Sequence, residues 1–396
     1  MISRFLVKVL LVKLLLVISL VWALPSYADD FTIGYLQLEK DPRYSKKQSF
    51  ARYLLGSLGR PYAGAEVALK ESKFHASGIG ASFKLEQVKG KDTAALLASL
   101  KTMNAQGVQF FLLDLPADAI NELATATKGQ SLVLFNVSAR EDRLRQAQCQ
   151  AHLFHTIPNY AMLTDALAQY LVFRKWKEIL VLSGQQPDDL EFNQAFKRSA
   201  KRYGLDIDAD RPFALGNDPR QRDQNNTSLL TANADYDVIF VADTKGEFAR
   251  SLPYASVKPQ LVVGAEGLAP VAWHWAWERH GAPQLENRFE AQADRPMRDA
   301  DWSAWMAVKA IAEAVQRTQS RDFAVLSKHL QSEELVLDGF KGNRLNFRPW
   351  DHQLRQPLLL ATHNWVVERA PLEGFLHQLN NLDALGFDQP ETQCKF

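Results

Sequence analysis

Polar and hydrophobic positions along this chain fall into alternating blocks whose spacing predicts strands followed by helices. FTIGYLQL (31–38) reads as an apolar-rich first strand, and RPYAGAEVALKESKF (60–74) as a helix with Ala65, Ala68 and Leu69 on one stripe. SFKLEQVKG (82–90) predicts the second strand, and DTAALLASLKTMNAQG (92–107) a helix capped by Asp92 and stopped by Gly107. VQFFLLDL (108–115), ADAINELATATKG (117–129) and SLVLFNVSA (131–139) continue as strand, helix and strand. A second cycle follows, with helices over 160–176 and 188–204 and strands over 178–184, 235–243 and 260–267. A short helix is expected in GEFARSLPYA, between the last two of these strands. Unbroken runs such as FFLL and LVLF suit a parallel sheet covered on both faces. The alternation therefore predicts an α/β fold of two doubly wound, Rossmann-like lobes.

Other blocks read differently. DPRQRDQNNTS (218–228) is a polar surface loop. Residues 299–318 carry Trp302, Trp305, Val308, Ile311, Ala312 and Val315 at helical spacing, so both tryptophans are expected to pack in the core. Residues 337–368 place Gly and Pro turns between short alternating runs, as in a hairpin or meander. The segment GAEGLAPVAWHWAWERHG (264–281) is harder to place. On a helix Trp273 and Trp277 share a face, whereas on a strand Trp273, Trp275 and Trp277 all do. Neither geometry makes a ligand cage alone, and packing near an interlobe region is expected. Trp273 is the ring expected to contact a ligand if any does.

Composition narrows the classes. The chain has 396 residues, 46% hydrophobic and 23% charged, as in a globular protein. Its start is distinct: Arg4, Lys8 and Lys13 precede the apolar run LLLVISLVWAL (14–24), then PSYA. That order is a secretion signal cleaved after Ala28, and the apolar run is shorter than the ~20 residues needed to span a bilayer. Cleavage removes three of the 46 basic residues and leaves 43 against 45 acidic ones. A chain so near neutrality has no electrostatic basis for holding nucleic acid or an anionic membrane surface. Cys149 and Cys394 are the two cysteines; they are free thiols or one disulfide, and an oxidising compartment favours the bridge.

Candidate chemistry is that of binding. No G-x-S-x-G, P-loop, H-E-x-x-H or C-x-x-C-H occurs, no metal-ligand spacing is present, and no catalytic residue or cofactor is assigned. In an open α/β sheet, ligands bind at the carboxyl ends of strands. Those ends are Gln37–Glu39, Asp114–Asp118, Asn136–Arg140, Ser183–Gln186, Asp243–Lys245 and Ala265–Gly267. Asp114 is either a ligand group or a helix cap, Asp243 is a candidate, and Glu266 stands out because glycines flank it. Arg344, Arg348 and Arg355 are expected to bridge lobes, and His152, His155, His363 and His377 to be ordinary structural groups.

The order of blocks, together with GRPYAGAEVALKE, NVSA and GAEG, resembles the type I periplasmic solute-binding proteins of ABC transporters, particularly the branched-chain amino-acid-binding group. FFLLDLPAD, LFNVSAR, HTIPNYAML, LDGFKGNRLNFRPWDHQLRQPLLLATHN and APLEGFLHQ are similar to the subfamily associated with PQQ-dependent alcohol dehydrogenase systems. The resemblance implies two lobes joined by three crossings near 153–158, 268–285 and 346–356. It puts lobe 1 at 29–155 plus 280–350, and lobe 2 at 156–279 plus 351–396. It implies a periplasmic, monomeric protein that holds a small-molecule ligand and delivers it to an inner-membrane permease. Within it, Glu266 matches the acidic group that meets a ligand ammonium, and Ser138 and Ala139 the strand end that meets a carboxylate. Tyr62 and the loop after the first strand lie at the implied cleft rim. LDLPAD (113–118) departs from the group's small Gly/Ser-rich turn: Asp114 and Asp118 would repel a carboxylate. SGQQPDDLEF (183–192) replaces the group's tyrosine-and-glycine loop. The departures point away from a standard α-amino acid and leave open a polyol, an alcohol-oxidation product, a cationic compound or a cofactor-related molecule. A sensor or accessory protein of the same fold, or a cleft enzyme, are the alternatives.

Overall fold

Apolar runs too long to alternate become strands covered on both faces. The computed structural model describes residues 29–44, 59–215 and 219–396, and the leader expected over 1–28 lies outside them. β1 (Asp29–Leu38), β2 (Ala81–Gly90), β3 (Phe110–Asp114), β4 (Val133–Asn136) and β5 (Leu153–His155) form a parallel sheet in the order β2-β1-β3-β4-β5. Every residue of β3 and β4 is buried, as FFLL and LVLF require. α1 (Tyr62–Glu71), α2 (Thr93–Ala105) and α3 (Ala117–Ala126) connect the strands of this first lobe. Asp92 caps α2 through its carboxylate, which accepts from the Ala95 N–H at 2.8 Å.

The second lobe repeats the scheme. α4 (Tyr160–Phe173) leads to β6 (Glu178–Ser183), α5 (Pro187–Tyr203), β7 (Asp206–Pro212), α6 (Thr227–Thr231), β8 (Val238–Ala242), α7 (Leu252–Ala255) and β9 (Leu261–Gly264). Its four strands are parallel in the order β7-β6-β8-β9. A third, antiparallel sheet joins β10 (Ala269–Val271), β13 (Leu358–Ala361) and β14 (Val366–Ala370) and packs on α4. Between β10 and β13 the chain returns to the first lobe. There α8 (Ala282–Ala293) and α9 (Asp299–Thr318) lie against α1, and α10 (Phe323–Leu330) and the pair β11 (Leu337–Asp338) and β12 (Arg344–Leu345) follow. The chain thus passes between lobes at 156–159, 272–281 and 346–357.

Trp302 and Trp305 are fully buried on α9, as their spacing implies. WHWAW, by contrast, is neither helix nor strand but a turn closed by the Trp277 N–H to the His274 carbonyl, 3.0 Å. Each buried indole there finds its own acceptor: Trp273 donates to Glu286 at 2.8 Å and Trp277 to the Phe340 carbonyl at 3.1 Å. Trp275 is 47% exposed. Cys149 and Cys394 form a disulfide with Cα atoms 5.8 Å apart.

Candidate ligand-binding site

The carboxyl ends of β1, β3 and β4 converge on a buried ionic cluster. Asp114, the last residue of β3, is fully buried, and its Oδ1 accepts from Tyr44 Oη at 2.8 Å and Arg43 Nη2 at 3.1 Å. Its Oδ2 faces Arg60 Nη1 at 3.3 Å. Arg43 is held from its other side by the buried carboxylate of Asp41, at 2.7 Å to Nη2, and reaches Ser138 Oγ with Nη1 at 2.9 Å. Arg60 also donates to the Leu38 carbonyl and lies over the Tyr44 ring at 4.5 Å. Burial, and then the charge of Asp114, push the Tyr44 phenol well above its ordinary value, so it stays a donor. Beneath the cluster, Tyr35 packs edge-on against Tyr62 with ring centroids 5.0 Å apart.

Ser138 and Ala139 therefore sit beside the cluster, but their donors are already used. Asn136 Oδ1 accepts from the Ser138 N–H at 3.2 Å and the Ala139 N–H at 2.9 Å, while the Ser138 hydroxyl accepts from Arg43 and faces the Leu115 carbonyl at 3.4 Å. Asp118 is on the exposed first turn of α3, paired with Arg143 at 2.9 Å. Tyr62 opens α1 and lines a surface hollow of about 520 Å³ with Gln37, Glu39, Arg60 and Lys89.

The second lobe contributes further carboxylates. α5 begins at the end of β6, with Asp188 exposed in its first turn and Glu191 one turn on. Arg143 reaches from the first lobe to Glu191, with Nε 3.6 Å from Oε1. Burial, and then Glu141 across the cleft, push Glu191 up to about 7, with Arg143 pulling against them. The same two causes raise Asp188, and there Arg43 and Lys245 oppose them. Glu141 thus acts on both Asp188 and Glu191, and Arg143 opposes it at each.

The remaining candidates fold inward or stand apart. Asp243 is buried and spends its carboxylate on the Gly246, Phe248 and Ala249 N–H groups of its own turn. Asp189 accepts from the Thr244 N–H at 2.7 Å and closes the same corner. Glu266 is half-buried and accepts from the Gly267 N–H at 3.2 Å. The flanking glycines serve the turn itself: Gly267 has φ +73°, and a Cβ there would lie 2.1 Å from the Val262 carbonyl oxygen. Trp273 is buried, with its backbone N–H on Asp299 and its indole on Glu286. Arg348 and Arg355 converge on buried Asp383 of the C-terminal segment, at 2.8 and 2.9 Å. The structure brings Asp114, Ser138 and Ala139 together, puts Asp118 on the Arg143 that also faces Glu191, and leaves Asp243, Glu266 and Trp273 elsewhere. Arg43, Tyr44, Arg60, Asp188 and Glu191 escape a reading of strand ends alone. EKDPRY after the first strand and the carboxylate pattern of QQPDDLE are the signals that mark most of them.

No protein-family model matches this sequence, and no curated protein matches it. Solved structures do, at low identity. An amino-acid ABC transporter substrate-binding protein from Pseudomonas fluorescens Pf-5 superposes with a TM-score of 0.68 at 14% identity, covering 93% of this chain and 100% of that one. An ABC transporter substrate-binding protein from Sphaerobacter thermophilus gives 0.69 at 14%, covering 91% and 100%. An R. palustris solute-binding protein in complex with benzoate gives 0.65 at 12%, covering 93% and 100%. Two parallel α/β lobes with three passages between them, matched over whole chains, give this protein the type I periplasmic binding protein fold.

Proposed function

We propose that this protein captures a small polar ligand between its lobes and presents it to the permease of an ABC transporter. The observation that carries this is the convergence of Arg43, Arg60, Tyr44, Asp114 and Ser138 from separate strand ends, opposite Asp188 and Glu191. Polar groups gathered at one strand-end mouth are what a cleft binder needs, and the chain carries no motif for turnover. The proposed setting is the periplasm, as a monomer delivering to an inner-membrane partner.

The chemistry of the mouth argues against an α-amino acid. A carboxylate reaching Ser138 and Ala139 meets backbone N–H donors already spent on Asn136 and a hydroxyl turned to the Leu115 carbonyl. Asp188, with Glu141 acting on it, disfavours an anion and favours a neutral or cationic group, while Glu191, raised to about 7, can offer a neutral carboxyl as a donor. We read the ligand as a neutral or cationic compound, with a polyol or another compound of PQQ-linked alcohol oxidation as the candidate that the sequence resemblance supplies. A ligand that binds only the native state must raise the melting temperature. Thermal-shift screening of the mature protein against polyols, amines, aldehydes, carboxylates, amino acids and PQQ tests this. A polyol or amine should raise Tm, and a response confined to leucine or valine sinks the reading. Asp188→Asn should weaken binding of the hit, and unchanged affinity removes Asp188 from the site, whereas Glu266→Gln, which stands apart from the mouth, should leave affinity unchanged. A sensor or accessory role with the same ligand is separated by whether a permease preparation binds the loaded protein.

A further inference from the structure

Lys341 lies in the turn between β11 and β12 and is completely buried. Its ammonium donates to the Ala272 carbonyl at 3.0 Å, Gln356 Oε1 at 2.9 Å and the Pro357 carbonyl at 2.9 Å. The Trp302 ring covers it, with the centroid 3.6 Å from Nζ. All three acceptors are neutral, so the charge is held by dipoles and an indole face and not by a hydrogen-bonded carboxylate. Burial pushes the amine well below its ordinary value. Only the protonated form has a proton for each of the three oxygens.

The acceptors come from the passages between lobes. Ala272 opens the second passage, and Gln356 and Pro357 close the third. Gln356 carries the link onward, its Nε2 donating to the Thr156 carbonyl in the first passage at 2.8 Å. One ammonium and one amide therefore touch every passage. A buried charge that loses any of these partners is left uncompensated, so the arrangement holds as a unit.

We propose that Lys341 is the positioning residue that pins the three interlobe passages into one node, so that the lobes move about a shared pivot. The role is independent of which ligand the cleft takes. It is tested in the mature protein with spin labels at exposed Lys101→Cys on α2 and Lys201→Cys on α5, the native cysteines being paired. Interlobe distances are read by double electron–electron resonance. The parent should give one narrow distribution, and Lys341→Met should widen it at least twofold at temperatures well below its melting point. Gln356→Glu keeps an acceptor for Lys341 but loses the donor to Thr156; it should also widen the distribution, and it serves if Lys341→Met does not fold. Leu326→Ala, a core truncation within the first lobe, should lower Tm without widening. A folded Lys341→Met with the parental width overturns the proposal. So does an unbroadened Gln356→Glu where Lys341→Met does not fold, or equal broadening by Leu326→Ala.

Discussion

Asp114 shows how a residue's neighbours reverse the meaning of its charge. Beside Asp118 in LDLPAD it reads as one of two negative groups at a strand end. In the fold it is enclosed by Arg43, Arg60 and Tyr44, while Asp118 points to solvent. Its position was legible, because buried strands end where polarity returns. Its partners were not, because they come from residues 54 to 71 positions earlier, brought alongside by the pairing of β1 with β3. Asp114→Asn leaves Arg60 without its carboxylate and Arg43 with Asp41 alone, and should cost about 2–3 kcal/mol in urea unfolding, below the full penalty for a wholly buried pair. Asp351 makes a pH-dependent case. It is buried, and burial raises it to about 6 against the pull of Arg348 and the Gln353 N–H. Between about pH 4 and 6 the folded state therefore holds this proton while the unfolded chain has released it, so its contribution falls as pH rises through that window. Tm measured from pH 4.5 to 7.5 should drop more steeply in the parent than in Asp351→Asn.

At the scale of elements, continuous apolar runs and helical stripes were enough to place β1 to β4, β6, β8, β9 and the helices α1 to α5 and α9. Capping chemistry was legible too, and Asp92→Ala should cost about 1 kcal/mol, read as a lowered urea midpoint. What escaped has a physical pattern. DIDADRP forms β7 at a sheet edge, where Ile207, Ala209 and Arg211 are half-buried and Asp206, Asp208 and Asp210 stay exposed between them. The α8 sequence hides its stripe of Ala282, Leu285 and Phe289 among polar residues, with Glu286 buried beside them for Trp273. The WHWAW turn was beyond periodicity of either kind, since its shape follows from acceptors on α8, α9 and the residue after Gly339. Glu286 serves two buried donors, the Trp273 indole and the Met297 N–H. Glu286→Leu strands both in the core and should lower stability by about 1–3 kcal/mol for each donor left unpaired.

Over the whole molecule, the two-lobed plan and the three passages followed from alternation and resemblance, while the C-terminal segment did not. That segment leaves the second lobe at Gly386, where the Gly386 N–H and Arg202 meet buried Asp165, and Glu391 pairs with Arg198. It then reaches the first lobe, where the Gln393 N–H meets Gln146 and Cys394 bonds Cys149. The bridge itself was expected from two cysteines in an oxidising compartment, while the polar contacts that seat the tail, such as that with Gln146, 247 positions away, leave no trace in short-range patterns. The segment is a fourth tie between lobes, and a covalent one. Closing so long a loop should add about 5 kcal/mol by restricting the unfolded chain, so the double serine variant should melt well below the parent. There is also a consequence for the protein once its chain is cut. Everything from Gln150 to Gln393 belongs to one closed ring, which contains all of the second lobe. A protease that nicks any loop of that ring yields two fragments still bonded to each other. On a denaturing gel they should run as one band until a reductant is added, and as two bands afterwards.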